Sequence, residues 1–321
     1  MVAQVLNHLA IAFSIAFVLF PSASLALELN VIDKCLRWNT EWRNNRQKLA
    51  TCSVGFAGKM TDNIVKDTIY YTVTNSTDDP LNSKPGTLRY RATIISKKVW
   101  VTFQRHMNIQ LKKPLVISSF TTIDARGSHI RISGIGCLLI NKVRNVIIHR
   151  LYIHYCQFGE SNSVMGPDSE IMNFGGIDGD EIRVVRASKV WIDHNTLYEW
   201  STDVTISNNW FKNQDKVMLL GHTDEYSFDI NMKVCVAFNH FGPNCKQRMP
   251  RVRYGFAHVA NNLYKEWTSY AIGGSMNPQI MSEANLFITQ KSGKKEVLEV
   301  YNPITMINKD FQSQMQNMCR R

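Results

Sequence analysis

"KVCVAFNHFGPNCKQRMPRVRYGFAHVANNLY", residues 233–264, contains one short pattern twice. An apolar, β-branched run ends in Asn239-x-Phe241, and a second ends in Asn262-x-Tyr264, 23 residues later. Such runs, punctuated by Gly, Pro and Asn, read as strands. The pattern continues outward to Asn285-x-Phe287, and back to Asn209-x-Phe211 and Asn195-x-Leu197. Successive asparagines are 14, 30, 23 and 23 residues apart. Further short runs, VWVTF, NVIIHRLYIH and KVWIDHNTL, carry the same strand character, and helical periodicity is weak outside residues 36–50.

A period in the low twenties in strand-rich sequence predicts a solenoid whose coils stack and bury an apolar interior. An asparagine at one recurring turn can bond to the coils above and below it. An antiparallel sandwich would have no need of the same residue at the same turn. The spacing therefore predicts an all-β parallel β-helix over residues 27–300. The 14-residue interval is too short for a three-stranded coil and predicts a missing strand between Asn195 and Asn209.

The 321-residue chain carries 37 Lys and Arg against 26 Asp and Glu, a net charge of +11. The basic residues are scattered and fit no nucleic-acid-binding motif, so an acidic polymer is the expected partner rather than nucleic acid. Residues 1–26 hold an apolar run from Leu9 to Phe20, followed by small residues at Ser24 and Ala26. They read as a secretory signal peptide cleaved near Ala26, because the run is too short to span a bilayer. The mature chain is then expected to be extracellular, monomeric and without a membrane anchor. Secretion permits disulfides. Among seven cysteines, Cys35/Cys52 and Cys137/Cys156 are candidate pairs, although spacing alone does not fix connectivity. Asn75-Ser76-Thr77 is a glycosylation sequon in a polar turn.

Two clusters could carry chemistry. Asp178 and Asp180 are two apart beside a strand, where both side chains would share a face and invite a hard cation such as Ca²⁺. An acid–base pair of a glycoside hydrolase, drawn from Asp178, Asp180 or Asp193, is the rival reading. Arg248, Arg251 and Arg253 are expected to line one side of a strand, apart from any kink at Pro250, and Lys216 is a further cation. Such a row suits the carboxylates of a uronic-acid polymer. A solvated basic strand and an Asp-Gly turn are the alternatives. The histidines, among them His149, His154, His194, His222, His240 and His258, lack metal-ligand spacing and read as structural or exposed.

From about Asn30 to Val297 the chain resembles the plant pectate lyases of the first polysaccharide-lyase family and the related conifer-pollen allergens. The resemblance rests on "RQKLATCSVGFAGK", "KPGTLRY", "TTIDARG", "DGDEIRV", "VWIDHNTL", "TISNNWF", "DKVMLLGH", "VAFNHFGPNC", "QRMPRVRYG", "HVANNLY" and "YAIGGSMNP". It implies a right-handed parallel β-helix and Ca²⁺-dependent β-elimination of de-esterified homogalacturonan in the plant cell wall. Arg248 matches the position of the base that removes the C5 proton. Lys216 and Arg253 match positions that bind substrate carboxylate, and Asp178 and Asp180 match the first part of the calcium site.

Two departures stand out. After "WIDHNTLYEW" the family continues with an Asp-Gly-Leu-Ile-Asp segment that supplies two more carboxylates, whereas this chain runs into "STDVTIS". Glu199 and Asp203 are the substitutes within reach in sequence. The match also stops after "KKEVLEV", leaving residues 301–321 as a non-matching tail in place of further coils and a C-terminal cap. The sequence therefore supports a calcium-dependent lyase impaired by the gap, or a non-catalytic pectin-binding relative with an incomplete calcium site.

Overall fold

The computed structural model describes residues 29–37, 40–64, 66–93, 97–160, 162–167, 170–195, 203–292 and 296–300. The expected signal peptide and cleavage point, Leu197, Glu199, Cys319 and residues 301–321 lie outside the described residues. Successive strands wind around an apolar core, and nine of them stack into one parallel sheet: Ile69–Val73, Val99–Phe103, Thr121–Asp124, Arg144–His149, Ser188–Asp193, Val204–Ser207, Lys233–Ala237, Phe256–Ala260 and Gln279–Glu283. Val234 lies opposite Ala257, and Ala257 opposite Ile280, so the 23-residue spacing is one full coil.

The turn that ends each of the last five long-sheet strands explains the asparagines. His194, Asn208, Phe238, Asn261 and Ala284 have φ of 58°, 53°, 61°, 56° and 52°. This left-handed conformation costs a non-glycine residue about 1–2 kcal/mol. The next residue is in each case a ladder asparagine, whose bonds offset that cost. The backbone N–H of Asn239 donates to Asn262 Oδ1 at 2.9 Å, and that of Asn262 to Asn285 Oδ1 at 2.9 Å. Asn239 Nδ2 also donates to the Ile206 carbonyl at 2.9 Å. Two residues further on, Phe211, Phe241, Tyr264 and Phe287 stack inside the cylinder with ring centroids 4.6–4.9 Å apart.

Both faces of the long sheet are covered. Val101, Ile123, Ile148 and Ile192 point into the cylinder. Trp100, Ile147 and Trp191 point outward and are buried by Ile32, Leu49, Val54, Ala57 and Met60 of the N-terminal segment. That segment is not the single helix-like stretch suggested between Cys35 and Cys52. It forms helices at Val31–Arg37 and Leu49–Cys52 with a turn between them, where Asn44 and Asn45 are poor helix formers. Cys35 is bonded to Cys52 and Cys137 to Cys156, while Cys245 is a buried free thiol.

The other two walls of the cylinder are each divided. Met107–Leu111, Ile130–Ile135 and Leu151–Gln157 form one sheet, and Leu115–Ile117, Leu138–Asn141 and Ile182–Val185 a second. After the division, Trp210–Phe211 and Leu219–Leu220 begin two new sheets. Ser188–Asp193 and Val204–Ser207 nevertheless pair directly, Val190 opposite Val204, only 14 residues apart. Among the described residues no strand lies between them. The short interval therefore coincides with the division of both walls.

Candidate active site

Asp178 and Asp180 lie in the loop leading into Ile182–Val185, not on the strand itself. Gly179 separates them and passes close to the Cys156 carbonyl, where a Cβ would come within 2.8 Å. Asp178 is exposed and meets Arg183 at 3.2 Å, a solvated pair worth little by itself. Asp180 is more enclosed, and burial together with the charge of Asp178 raises its pKa to about 6. Glu181, which sequence reading did not single out, is pushed up to about 7 by burial and by Asp180. It accepts a hydrogen bond from Gln214 Nε2 at 3.4 Å. Its only signal in the sequence was adjacency within "DGDE".

The cations come from two neighbouring coils. Lys216 ends the strand Gln214–Lys216 and lies opposite Gln247, and Leu219 lies opposite Arg251. The expected row along one strand is corrected here. Arg248 occupies a left-handed turn at φ 61°, and the strand that follows covers only Arg251–Val252. The turn is pinned from the adjacent coil, because Met218 N–H donates to the Arg248 carbonyl at 2.6 Å and Arg251 N–H to the Met218 carbonyl at 2.9 Å. Arg248 Nε is buried with no hydrogen-bond partner among the described residues. Arg253 is held by Asp224 Oδ1 at 2.8 Å and the His222 carbonyl at 2.6 Å. Lys216 is exposed.

A cavity of about 340 Å³ occupies the division between Ile182–Val185 and Leu219–Leu220 and is lined by Asp178, Arg183, Leu219, His222 and Tyr226. A second, of about 250 Å³, holds Asp178, Asp180, Asn141 and Arg183. His222 thus links the acidic side to Arg253, and Glu181 links it to the strand that carries Lys216. Asp203 precedes Val204 on the long sheet and lines neither cavity. Asp193 is fully buried on the long sheet and bonded to Ser207 Oγ at 2.6 Å and Asn208 Nδ2 at 3.1 Å, so it cannot pair with Asp178 or Asp180 as a hydrolase would require.

Residues 196–315 match the family model described as "Pectate lyase". Pectate lyase 1 of Cryptomeria japonica is 50% identical over 285 residues, 84% of this chain and 74% of the relative. Putative pectate lyase 2 of Arabidopsis thaliana is 46% identical over 278 residues, 83% of this chain and 71% of the relative. The crystal structure of jun a 1, the major allergen from cedar pollen, superposes with a TM-score of 0.76 at 39% identity, covering 91% of this chain and 99% of that one. A thermostable pectate lyase with 19% identity and a TM-score of 0.57 shares the fold. With half of the aligned positions identical to a conifer lyase across most of both chains, this chain belongs to the pectate lyase family of enzymes.

Proposed function

We propose that this chain is a secreted, calcium-dependent lyase that cleaves de-esterified homogalacturonan in the plant cell wall by β-elimination. The observation that supports the reading is an acidic pair lining the cavities at the division of the cylinder, beside Leu219, which pairs with Arg251, and His222, whose carbonyl holds Arg253. The donors fit a hard cation. Asp180 resists ionisation because it is enclosed and faces Asp178, and a divalent ion between them relieves both penalties. Asp178 and Asp180 would hold Ca²⁺, which neutralises the substrate carboxylate and so acidifies the proton α to it. Lys216 and Arg253 bind neighbouring carboxylates of the polymer. Arg248, once its guanidinium has given up a proton to solvent, takes the C5 proton; the C5 electron pair forms the C4–C5 double bond, the C4–O bond breaks, and the departing glycosidic oxygen is protonated from solvent, leaving a 4,5-unsaturated sugar.

The division of the two walls supports a site of reduced calcium affinity, since the resemblance implies two carboxylates on the segment that is shortened here. Ligand count and charge set Ca²⁺ affinity. A second reading, a non-catalytic pectin binder, rests on the same short interval. Binding and turnover separate the two readings. A chain that binds oligogalacturonate but forms no unsaturated product at saturating Ca²⁺ is a binder, and one that forms it is a lyase. No helix among the described residues is long and apolar enough to cross a membrane.

A further inference from the structure

The long sheet carries a second polar cluster, remote in sequence from Asp178 and Arg248. At the C-terminal ends of its strands, Asp124 lies opposite His149, His149 opposite Asp193, and Asp193 opposite Ser207, all facing out of the cylinder. Asp124 is neutralised by Arg46 at 3.0 Å and Arg126 at 2.7 Å. Among the described residues, Asp193 has no such cation from Lys or Arg. Its Oδ1 is fixed by Ser207 and Asn208. Its Oδ2 faces two imidazole nitrogens, His194 Nδ1 at 2.7 Å and His149 Nδ1 at 3.1 Å. His149 is 1% exposed, and among the described residues its Nδ1 has the Asp193 carboxylate as its contact, at a geometry short of a regular hydrogen bond. Two ring nitrogens thus converge on one buried carboxylate oxygen.

We propose that His149 Nδ1, Asp193 Oδ2 and His194 Nδ1 form a site for a divalent transition-metal ion of the Zn²⁺ type. Their donor atoms lie within 4.8 Å of one another. Two imidazoles and a carboxylate are a zinc donor set, and a hard ion such as Ca²⁺ would demand six or more oxygens. The surrounding contacts are those of a metal centre. His194 Nε2 faces Asp33 Oδ1 at 3.2 Å, so a carboxylate orients the ring of a ligand histidine. Asp33 and Asp193 together balance the charge of the ion. The cluster borders a cavity of about 730 Å³ lined by Asp33, His149 and His194 together with Arg37, Arg126 and Arg150, which gives the ion a route in and room for a water. Asp33 belongs to the helix Val31–Arg37, so the ion would also fasten the N-terminal segment to the wall.

The test is calorimetric titration of the untagged full chain with Zn²⁺, alongside the visible spectrum after loading with Co²⁺. One ion per chain is expected, with a tetrahedral Co²⁺ band pattern. Asp193→Asn and His194→Gln should weaken binding at least tenfold, whereas Asp178→Asn and Asp180→Asn should leave it unchanged. If the Asp193 and His194 variants misfold by circular dichroism, the Co²⁺ spectrum of the unaltered chain decides. An octahedral, water-like spectrum, the absence of stoichiometric Zn²⁺ binding, or equal binding in folded Asp193 and His194 variants would each overturn the proposal.

Discussion

The backbone N–H of Asn195 donates to Asn209 Oδ1 at 2.6 Å although only 14 residues separate them. The following steps of the ladder span 30, 23 and 23 residues and make the same bond at 3.0, 2.9 and 2.9 Å. One wall of the cylinder thus passes through the short interval without losing register, while the other two walls restart. The asparagine ladder and the long sheet form a spine that keeps its register across the 14-residue interval.

Removing a rung should test that spine. Asn239 accepts from the Asn209 backbone and side chain and donates to Asn262 and to the Ile206 carbonyl. Asn239→Ala leaves several buried polar groups without partners, at about 3 kcal/mol. Thermal unfolding should shift down by roughly 5–10 °C. A shift within experimental error would mean that the ladder follows from the fold and contributes little to it.

The aromatic stack carries a separate share of stability. Phe241 lies between Phe211 at 4.9 Å and Tyr264 at 4.8 Å and is fully buried. Phe241→Ala should cost about 4 kcal/mol through lost burial and the cavity left behind, and Phe241→Leu much less. Equal losses in the two variants, measured by denaturant titration, would argue against a packing origin.

The acidic loop should make calcium binding depend on pH. Asp180 and Glu181 have folded pKa values near 6 and 7, above ordinary carboxylates, so the folded state holds more protons than the unfolded one in this range. Their contribution to stability is present at low pH and is lost as pH rises through about 6–7. Calcium must displace the proton from Asp180 to bind there. The Ca²⁺-induced rise in melting temperature should therefore grow from about pH 5 to about pH 8. A rise of constant size across that range would place the ion elsewhere.

Polymer binding should rest on the cations more than on the metal. Lys216 is exposed and its backbone is set by pairing with Gln247, so Lys216→Gln should fold normally. Affinity for oligogalacturonate is expected to fall about tenfold, with a shallower dependence on salt. Unchanged affinity and unchanged salt dependence would remove Lys216 from the groove.

The spine was legible because, from His194 onward, the left-handed turn that ends each long-sheet strand is followed by an asparagine that satisfies backbone groups on both sides. The gathering of Lys216 with Arg248, Arg251 and Arg253 was legible only as composition. Their geometry was not, because Arg248 leaves the strand at a left-handed turn that no alternating pattern encodes. His149 and His194 were set aside for lack of ligand spacing. They meet because a coil of 44 residues brings Asp193 opposite His149, and stacking distance is independent of loop length. Glu181 escaped notice because its burial depends on the coil that supplies Gln214.

The proposed lyase cleaves pectate by elimination, with Arg248 as the base and Asp178 and Asp180 as calcium ligands. The most direct test follows ultraviolet absorbance of the conjugated product on polygalacturonate while Ca²⁺ is titrated, for the native chain and for Arg248→Lys. Absorbance should rise only with Ca²⁺, at concentrations above those a complete site requires, and Arg248→Lys should abolish it while oligogalacturonate still binds. New reducing ends without absorbance, an undiminished rate in chelator, or full activity in Arg248→Lys would contradict the account.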